Sequence, residues 1–310
     1  MKLALFTVSY SGIWYDGEAL PLKEQIDKAK ELGFDGISIE AKRPIAAPFD
    51  LTDNEIKDVK DYADEQDIEI CAIESMSDFS SPIMEKRENN LAMMKSLIEM
   101  ADKFDVKTLK IFAAWPGVRW DPGKIGSYES FDSSSGPMGP DYIEKWQRVK
   151  KGISEVTDWA SDYDVDIALQ NHPPLLRSGY EDALSMIEEV GEENLKMCLD
   201  VPLFYGNQSD DYVKEAVESC SDYIALSHYG AWNFEENGNG EIVQKKASLA
   251  GKKINYETFL KELKRVGYDG YLVQEFCLPA VENHEIKGMD KIDESSKMAV
   301  EYMRNLIDSI

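Results

Sequence analysis

The sequence has 310 residues, 43% of them hydrophobic, and carries a formal net charge of −25 at pH 7. A chain of this length forms either two average domains or one α/β barrel, and its apolar content is sufficient for a large core. The negative charge argues against a nucleic-acid partner, because phosphate binding needs a basic surface, and it equally disfavours an anionic membrane surface.

The chain carries no sign of a membrane span or an export signal. No apolar run approaches the roughly 18 residues that a membrane-spanning helix needs, and the apolar N-terminal stretch is better explained as a first strand than as a signal peptide. The cysteines Cys71, Cys198, Cys220 and Cys277 are widely spaced and form no CxxC motif. The sequence therefore predicts a reduced, cytoplasmic protein.

Strands and helices alternate along the chain. Short apolar runs predict eight strands, at residues 3–9, 36–40, 68–74, 108–113, 165–170, 195–200, 223–228 and 271–275. Amphipathic segments predict eight helices, at residues 18–32, 53–65, 85–104, 142–161, 179–190, 211–219, 256–266 and 294–310. Residues 115–141 interrupt this rhythm with four prolines and five glycines, and a loop of this length is usually functional or disordered.

This alternation predicts parallel βαβ units. Eight such units in one chain of this length fit a closed (β/α)₈ TIM barrel better than an open sheet. No shift in composition marks a second domain, so we predict a single domain over residues 1–310. No G-x-G-x-x-G motif follows a strand and no P-loop is present, which weakens a nucleotide-binding alternative.

Four consecutive predicted strands end in a side chain that can bind a metal: Gln170, Asp200, His228 and Glu275. The C-terminal ends of barrel strands converge on one face, so these distant residues should meet there. A single polar residue at a strand end is most often a loop cap, but four in succession favour a metal site. One amide, one imidazole and two carboxylates suit one divalent ion, Mn²⁺, Mg²⁺ or Co²⁺, with Zn²⁺ as a further candidate.

His172 and Glu275 are the candidate catalytic residues. His172 lies two positions after Gln170 and therefore on the same side of the strand, and the pKa of an imidazole lies near working pH. The alternative for His172 is a loop imidazole bonded to the backbone. A divalent ion at this site would be neutralised by two carboxylates but could still polarise a bound oxygen.

Further residues near the same face are candidates for binding substrate. Glu40 and Glu74 end the second and third strands and can bind hydroxyls or act as acids, although exposed loop carboxylates would look the same. Lys110 lies inside the fourth strand, where alternation can turn it inward. Aromatic faces after strands stack well on sugar rings, and the chain places three there: Trp14, Trp115 and Trp232.

The sequence resembles the xylose isomerase-like TIM-barrel superfamily, which comprises sugar isomerases, sugar epimerases and endonuclease IV. The resemblance spans nearly the whole chain, through ALFTVS, GFDGISIE, ENNLAMMKSLIEMADKFDVKTLKIF and GYDGYLVQEF. In that family Glu, Asp, His and Glu at the ends of the fifth to eighth strands hold the metal. The resemblance implies that Gln170, Asp200, His228 and Glu275 do so here, with Gln170 departing from the family's glutamate.

This departure bears on the mechanism. The epimerases that this chain resembles use the fifth- and eighth-strand carboxylates as a proton-transfer pair, and an amide cannot take up a proton. A symmetric two-carboxylate epimerase is therefore doubtful, and His172 is the best substitute partner for Glu275. The family's D-x-x-H pattern after the sixth strand is also absent, because Leu203 occupies the position of the histidine.

Three functions remain open. The leading hypothesis is a metal-dependent isomerase or epimerase of a sugar, sugar phosphate or keto-sugar. A metal-dependent lyase or dehydratase needs only one base, and a non-catalytic sugar-binding barrel would need none. A DNA-repair endonuclease is excluded, because it needs a histidine-rich multi-zinc site and this chain has three histidines. The expected partner is a small sugar, with no nucleic acid and no membrane, and the oligomeric state stays open, a homo-oligomer included.

Overall fold

Eight parallel strands close into a barrel in this computed structural model, which describes residues 1–115, 117–121, 124–128, 141–230, 233–235, 237–238, 242–244 and 253–310. The strands are β1 (Lys2–Phe6), β2 (Gly36–Glu40), β3 (Glu69–Glu74), β4 (Thr108–Ile111), β5 (Asp166–Gln170), β6 (Leu195–Cys198), β7 (Ile224–Tyr229) and β8 (Tyr271–Gln274). Each strand pairs with the next, and β8 closes onto β1, where Lys2 lies opposite Tyr271. The predicted (β/α)₈ barrel is confirmed.

In the part of the chain that the structure describes, eight α-helices surround the barrel. They are α1 (Leu22–Leu32), α2 (Asp53–Gln66), α3 (Met84–Phe104), α4 (Tyr142–Ser161), α5 (Glu181–Val190), α6 (Asp210–Cys220), α7 (Tyr256–Arg265) and α8 (Met289–Ser309). Their apolar stripes face the strands, as in α7, where Phe259, Leu260 and Leu263 are buried. Among the described residues, none of the helices combines the length and apolarity needed to span a membrane.

The first strand is shorter than the apolar pattern predicted. β1 ends at Phe6, and Thr7–Tyr10 forms a 3₁₀ turn. The hydroxyl of Thr7 accepts a hydrogen bond from the backbone N–H of Glu40 at 2.7 Å, and the hydroxyl of Ser9 accepts one from Phe276 at 3.1 Å. Side-chain oxygens therefore satisfy N–H groups that a longer β1 would have paired, and the backbone can turn over the mouth of the barrel.

Short β-hairpins lie in the loops on the C-terminal side of the barrel. Val118–Arg119 pairs with Ser127–Tyr128 inside the long loop after β4, and Val281–Glu282 pairs with Glu285–Ile286 after β8. The C-terminal helix begins at Met289 rather than at residue 294. The long segment predicted as a loop thus contains a hairpin at its start, while residues 129–140 lie outside the described part of the chain.

Shortening a buried isoleucine in β5 should destabilise the barrel. Ile167 is fully buried, and Ile167→Ala should lower the free energy of unfolding by about 2–5 kcal/mol through lost burial and a residual cavity. Ile143 offers a matched control, since it is 72% exposed. Ile143→Ala should stay within about 0.5 kcal/mol of the wild type in urea denaturation. Equal losses at both positions would contradict the assigned packing.

Candidate functional site

The four predicted metal ligands meet at the C-terminal mouth of the barrel. The amide nitrogen Nε2 of Gln170 lies 2.5 Å from Oδ2 of Asp200 and 3.1 Å from Nδ1 of His228. The same Nδ1 lies 3.3 Å from Asp200 and 3.7 Å from Oε2 of Glu275. Closure of the barrel thus unites residues from four strand ends in one cluster, and their role as metal ligands stays a prediction.

The members of this cluster differ in exposure. Gln170, Asp200 and His228 are each 2% exposed, whereas the side chain of Glu275 is 28% exposed. Desolvation raises the pKa of Glu275, and the neighbouring His228 opposes that rise. Glu275 is therefore the member that a molecule entering from solvent reaches first, and its carboxylate is more basic than an ordinary glutamate.

Asp200 is anchored on both its main chain and its side chain. The side-chain amide of Asn171 accepts a hydrogen bond from the Asp200 N–H at 2.9 Å and donates one to the Asp200 carbonyl at 3.3 Å. The backbone N–H of His228 donates to Oδ1 of Asp200 at 2.6 Å. The sequence analysis did not single out Asn171, since an asparagine before two prolines is an ordinary turn residue.

Glycine at position 230 lets β7 and β8 approach each other at the mouth. Gly230 has φ +148°, and a Cβ there would lie 2.1 Å from the carbonyl oxygen of Glu275. The backbone N–H of Glu275 donates to the Tyr229 carbonyl at 2.9 Å in the same approach. Any side chain at position 230 would push the end of β8, and Glu275 with it, away from the cluster.

The donor set fits one divalent cation. Oxygen and nitrogen ligands about 2.1 Å from an ion lie about 3 Å from one another, close to the spacings between Asp200, His228 and Glu275. Oε1 of Gln170 is buried without a hydrogen-bond partner. The two ends of an amide are nearly isosteric, so exchanging them would present this oxygen to the cluster in place of the nitrogen.

Cys198 belongs to this cluster, and the sequence analysis named it only as one of four widely spaced cysteines. Its thiol donates to Oδ1 of Asp200 at 3.4 Å, and potential ligand atoms of Cys198, Asp200 and His228 lie within 4.8 Å of one another. Burial raises the pKa of Cys198 to about 12, so the group is a neutral thiol near pH 7. Its position two residues before Asp200 was the available signal, because such residues share a strand face.

A buried charge network lies beside the cluster. Oε1 of Glu74 contacts Nε2 of His228 at 3.1 Å and accepts from Oγ of Ser38 at 2.5 Å, while Oε2 lies 3.1 Å from Nζ of Lys110. Burial would raise the pKa of Glu74, but His228 and Lys110 outweigh it and lower that pKa to about 2. Glu74 is therefore an ionised, fully buried carboxylate rather than a loop residue at the surface.

The side chain of Lys110 points into the barrel, which is the inward of the two orientations that strand alternation allows. It is 1% exposed, and its ammonium group lies 3.7 Å from the ring centroid of Phe112 as well as beside Glu74. The aromatic face and the carboxylate together replace the water that the ammonium lost on burial.

Glu40 is a fully buried carboxyl group at the end of β2. Nζ of Lys42 lies 3.0 Å from its Oε1, and its Oε2 is buried without a hydrogen-bond partner. Burial raises the pKa of Glu40, with Lys42 opposing. A buried, unpartnered carboxyl oxygen suits a ligand that supplies a hydroxyl donor.

His172 packs edge-on against Phe112 and Trp115, with ring centroids 5.1 and 5.5 Å away. Its Nδ1 lies within hydrogen-bonding reach of the carbonyl of Pro173. A carbonyl only accepts, so Nδ1 carries the proton and Nε2 is the acceptor nitrogen of the neutral ring. Desolvation lowers the pKa of His172 to about 4, although the Pro173 carbonyl opposes this. The ring can accept a proton near pH 7 but holds it weakly, and its catalytic role stays a prediction.

Trp14 and Trp115 pack against protein aromatic rings. Trp14 is 1% exposed and lies 5.1 Å from the ring of Tyr128, and Trp115 stacks on Phe112 at 4.5 Å. Tyr128, which the sequence analysis missed, also contacts Trp115 and donates its hydroxyl to the Cys277 carbonyl at 2.7 Å. Trp232 lies outside the described residues, and substrate contacts by all three tryptophans remain predictions.

The depressed pKa of His172 predicts a measurable titration and stability profile. In metal-free protein, NMR titration of the His172 ring should give a midpoint near 4 instead of the usual 6.5. The unfolded chain takes up this proton first as the pH falls, so the contribution to stability is present above 6.5 and is lost towards 4. His172→Asn should flatten that part of the curve of unfolding free energy against pH. A midpoint above 6 would contradict the assigned environment.

The fold and the site define the chain as a (β/α)₈ barrel whose C-terminal mouth carries side chains with oxygen and nitrogen atoms on four strand ends. The chain belongs to the xylose isomerase-like TIM barrel family, which matches residues 26–305.

Individual relatives include several sugar epimerases. Fructoselysine 3-epimerase of Shigella flexneri is 25% identical over 179 residues, 56% of this chain and 55% of the relative, so the match spans about half of that enzyme. The structure of D-psicose 3-epimerase from Clostridium cellulolyticum H10 is 19% identical with a TM-score of 0.68 and covers 99% of each chain. The IolI protein, solved with a bound zinc atom, is 18% identical with a TM-score of 0.69, covering 100% of this chain and 99% of its own.

Proposed function

We propose that this protein is a divalent-metal-dependent isomerase or epimerase of a keto-sugar or related sugar, acting through an enediolate. The observation that carries the proposal is the convergence of Gln170, Asp200, His228 and Glu275 at one end of the barrel, each with a polar atom within 3.7 Å of another member. The sugar epimerases among the relatives support the same class of substrate.

The four clustered side chains would hold the ion, and the ion would supply charge stabilisation for adjacent substrate oxygens. Glu275 is the base that abstracts the proton next to the substrate carbonyl, since it is the most exposed member of the cluster and its pKa is raised. A general base works best when the pKa of its conjugate acid approaches the working pH, and desolvation shifts Glu275 in that direction.

Unsatisfied polar atoms near the mouth support a polyhydroxylated substrate. Oε2 of Glu40, Oε1 of Gln170 and Nε1 of Trp14 are buried without hydrogen-bond partners. Buried polar groups are normally paired, and the hydroxyl groups of a sugar can act both as donors and as acceptors. Glu40, Glu74 and Lys110, together with the tryptophans, are the residues that we propose to surround the substrate.

A lyase or dehydratase is the second candidate function. The fifth strand ends in an amide that cannot exchange a proton, and the pKa of His172 near 4 makes it a weak second base. A reaction that removes one proton and expels hydroxide or another leaving group needs only Glu275 as its base. The same geometry would therefore serve elimination without the second carboxylate of a symmetric epimerase.

The composition of the site also guides proposals on the ion and the compartment. Oxygen-rich ligation with one imidazole suits Mn²⁺, Mg²⁺ or Co²⁺, and the zinc of the related IolI structure keeps Zn²⁺ among the candidates. The free cysteines Cys71, Cys198, Cys220 and Cys277 fit a reducing cytoplasm.

Removing and restoring the metal tests this function directly. Protein stripped with a chelator should lose conversion of a keto-sugar panel and regain it on addition of Mn²⁺. In D₂O an epimerase incorporates label into recovered substrate and product without loss of water, whereas a lyase forms a product that has lost water or another leaving group. A chelated sample that retains full turnover, or a native protein that binds no divalent ion, would exclude the proposal.

Glu275 should be the least replaceable residue for turnover. Glu275→Gln keeps the shape and one oxygen ligand but removes the base and a negative charge, so turnover at saturating metal should fall about 10²–10⁴-fold. Glu282→Gln is the control, because Glu282 is exposed on the hairpin that follows β8 and should leave turnover unchanged. More than about a tenth of wild-type turnover in Glu275→Gln would be too small a loss for a general base, and the assignment would then be wrong.

A further inference from the structure

Glu74 joins the ligand cluster to Lys110. Its Oε1 lies 3.1 Å from Nε2 of His228, and its Oε2 lies 3.1 Å from Nζ of Lys110. The three side chains come from β3, β7 and β4, and none is more than 2% exposed. Each oxygen of the Glu74 carboxylate therefore has its own cationic or N–H partner from the protein. Water does not reach these oxygens, because the side chains are buried.

This arrangement determines which nitrogen of His228 carries the proton. An ionised carboxylate only accepts hydrogen bonds, so Nε2 of His228 is the N–H that faces Glu74. In the neutral ring, which is the form that can bind a cation, Nδ1 is then the nitrogen with the lone pair, and it lies beside Gln170, Asp200 and Glu275. The amide N–H of Gln170, 3.1 Å away, is a suitable donor to that lone pair.

We propose that Glu74, held in place by Lys110, is a positioning residue that commits Nδ1 of His228 to the metal. The inference rests on the proposed function, because it assigns a role within the same metal site. A carboxylate that orients a ligating histidine stabilises the ligand tautomer and fixes the plane of the ring. Lys110 stabilises the buried negative charge of Glu74 from the opposite side, so the pair acts as one unit.

A glutamine at position 74 cannot replace this unit, because an amide has one oxygen and one NH₂ group. If the oxygen faces His228, the NH₂ group faces the ammonium of Lys110 and leaves a buried charge unpaired. If the oxygen faces Lys110, the NH₂ group faces Nε2 and favours the tautomer with its proton on Nδ1, which removes the ligand. Replacing Lys110 by methionine as well frees the amide oxygen to accept from Nε2.

The test measures Mn²⁺ affinity by calorimetry in protein without substrate. Glu74→Gln should weaken Mn²⁺ binding about 10–100-fold, the range for loss of an outer-shell partner of a metal ligand. The double variant Glu74→Gln/Lys110→Met should recover most of that loss. It also guards against misfolding, because neutral isosteres replace a buried ion pair with little cost in stability.

Glu40→Gln is the matched control. Glu40 lies opposite Glu74 on the neighbouring strand, is equally buried and pairs with Lys42 instead of His228. Its substitution should change Mn²⁺ affinity by less than about threefold, below the outer-shell range. Long-range ¹H–¹⁵N NMR of the Zn²⁺-loaded protein, which has three histidines, should show the His228 proton on Nε2.

The possible results separate this inference from the proposed function. A wild type that binds Mn²⁺ while Glu74→Gln binds it equally well, or a Zn²⁺-bound His228 with its proton on Nδ1, would overturn the positioning role alone. Equal losses in Glu40→Gln and Glu74→Gln would also overturn it, since the effect would then be one of general negative charge. A wild type that binds no divalent ion would overturn both proposals.

Discussion

Closure of the parallel barrel is the constraint on which the site depends. Because β8 pairs with β1 from Lys2 to Leu5, all eight strands point the same way and their C-terminal ends form one ring. Side chains separated by more than a hundred positions thereby come within hydrogen-bonding distance, as Glu74 and His228 do. Strand pairing in the barrel therefore holds the side chains of the site in position, and the loops after the strands add the rest of the mouth.

The interior of the mouth contains more charge than stability alone would favour. Glu40, Glu74, Lys110 and Asp200 are at most 2% exposed, and burying ionised groups costs free energy that pairing only partly returns. Both oxygens of Glu74 lie within 3.1 Å of a polar partner, whereas only Oε1 of Glu40 does, beside Lys42, and Oε2 of Glu40 has no hydrogen-bond partner. Buried charges retained at such a cost mark a functional region, and the unpartnered oxygen of Glu40 is the one available to a ligand.

Gln170, which stands where the family has a glutamate, fits the charges of the side chains around it. The amide donates to Asp200 and to His228, contacts in which a glutamate would place a third negative charge against Asp200 and Glu275. The cluster with Gln170 carries two carboxylates, so one divalent ion would neutralise it. With Gln170 in this position, the site lacks a second carboxylate that could transfer a proton. Elimination, which needs only one base, is therefore a candidate reaction beside epimerisation.

The sequence by itself determined the barrel and the candidate ligands. Strand and helix periodicities are local properties of the chain, and a ligand-type residue at the end of each of four consecutive strands can be read without knowing any contact. The long loop after β4 was also evident from its prolines and glycines, although the hairpin Val118–Arg119 with Ser127–Tyr128 inside it was not.

Only the tertiary structure decided which side chains face each other across the barrel and what each environment does to them. Alternation allowed Lys110 two orientations, and contact with Glu74 and Phe112 selected the inward one. The high pKa of the Cys198 thiol and the low pKa of His172 are caused mainly by burial, which the folded barrel creates. The contact between Glu74 and His228 spans 154 positions. Pairings at such separation follow from the register and closure of the strands, which no local pattern in the sequence contains.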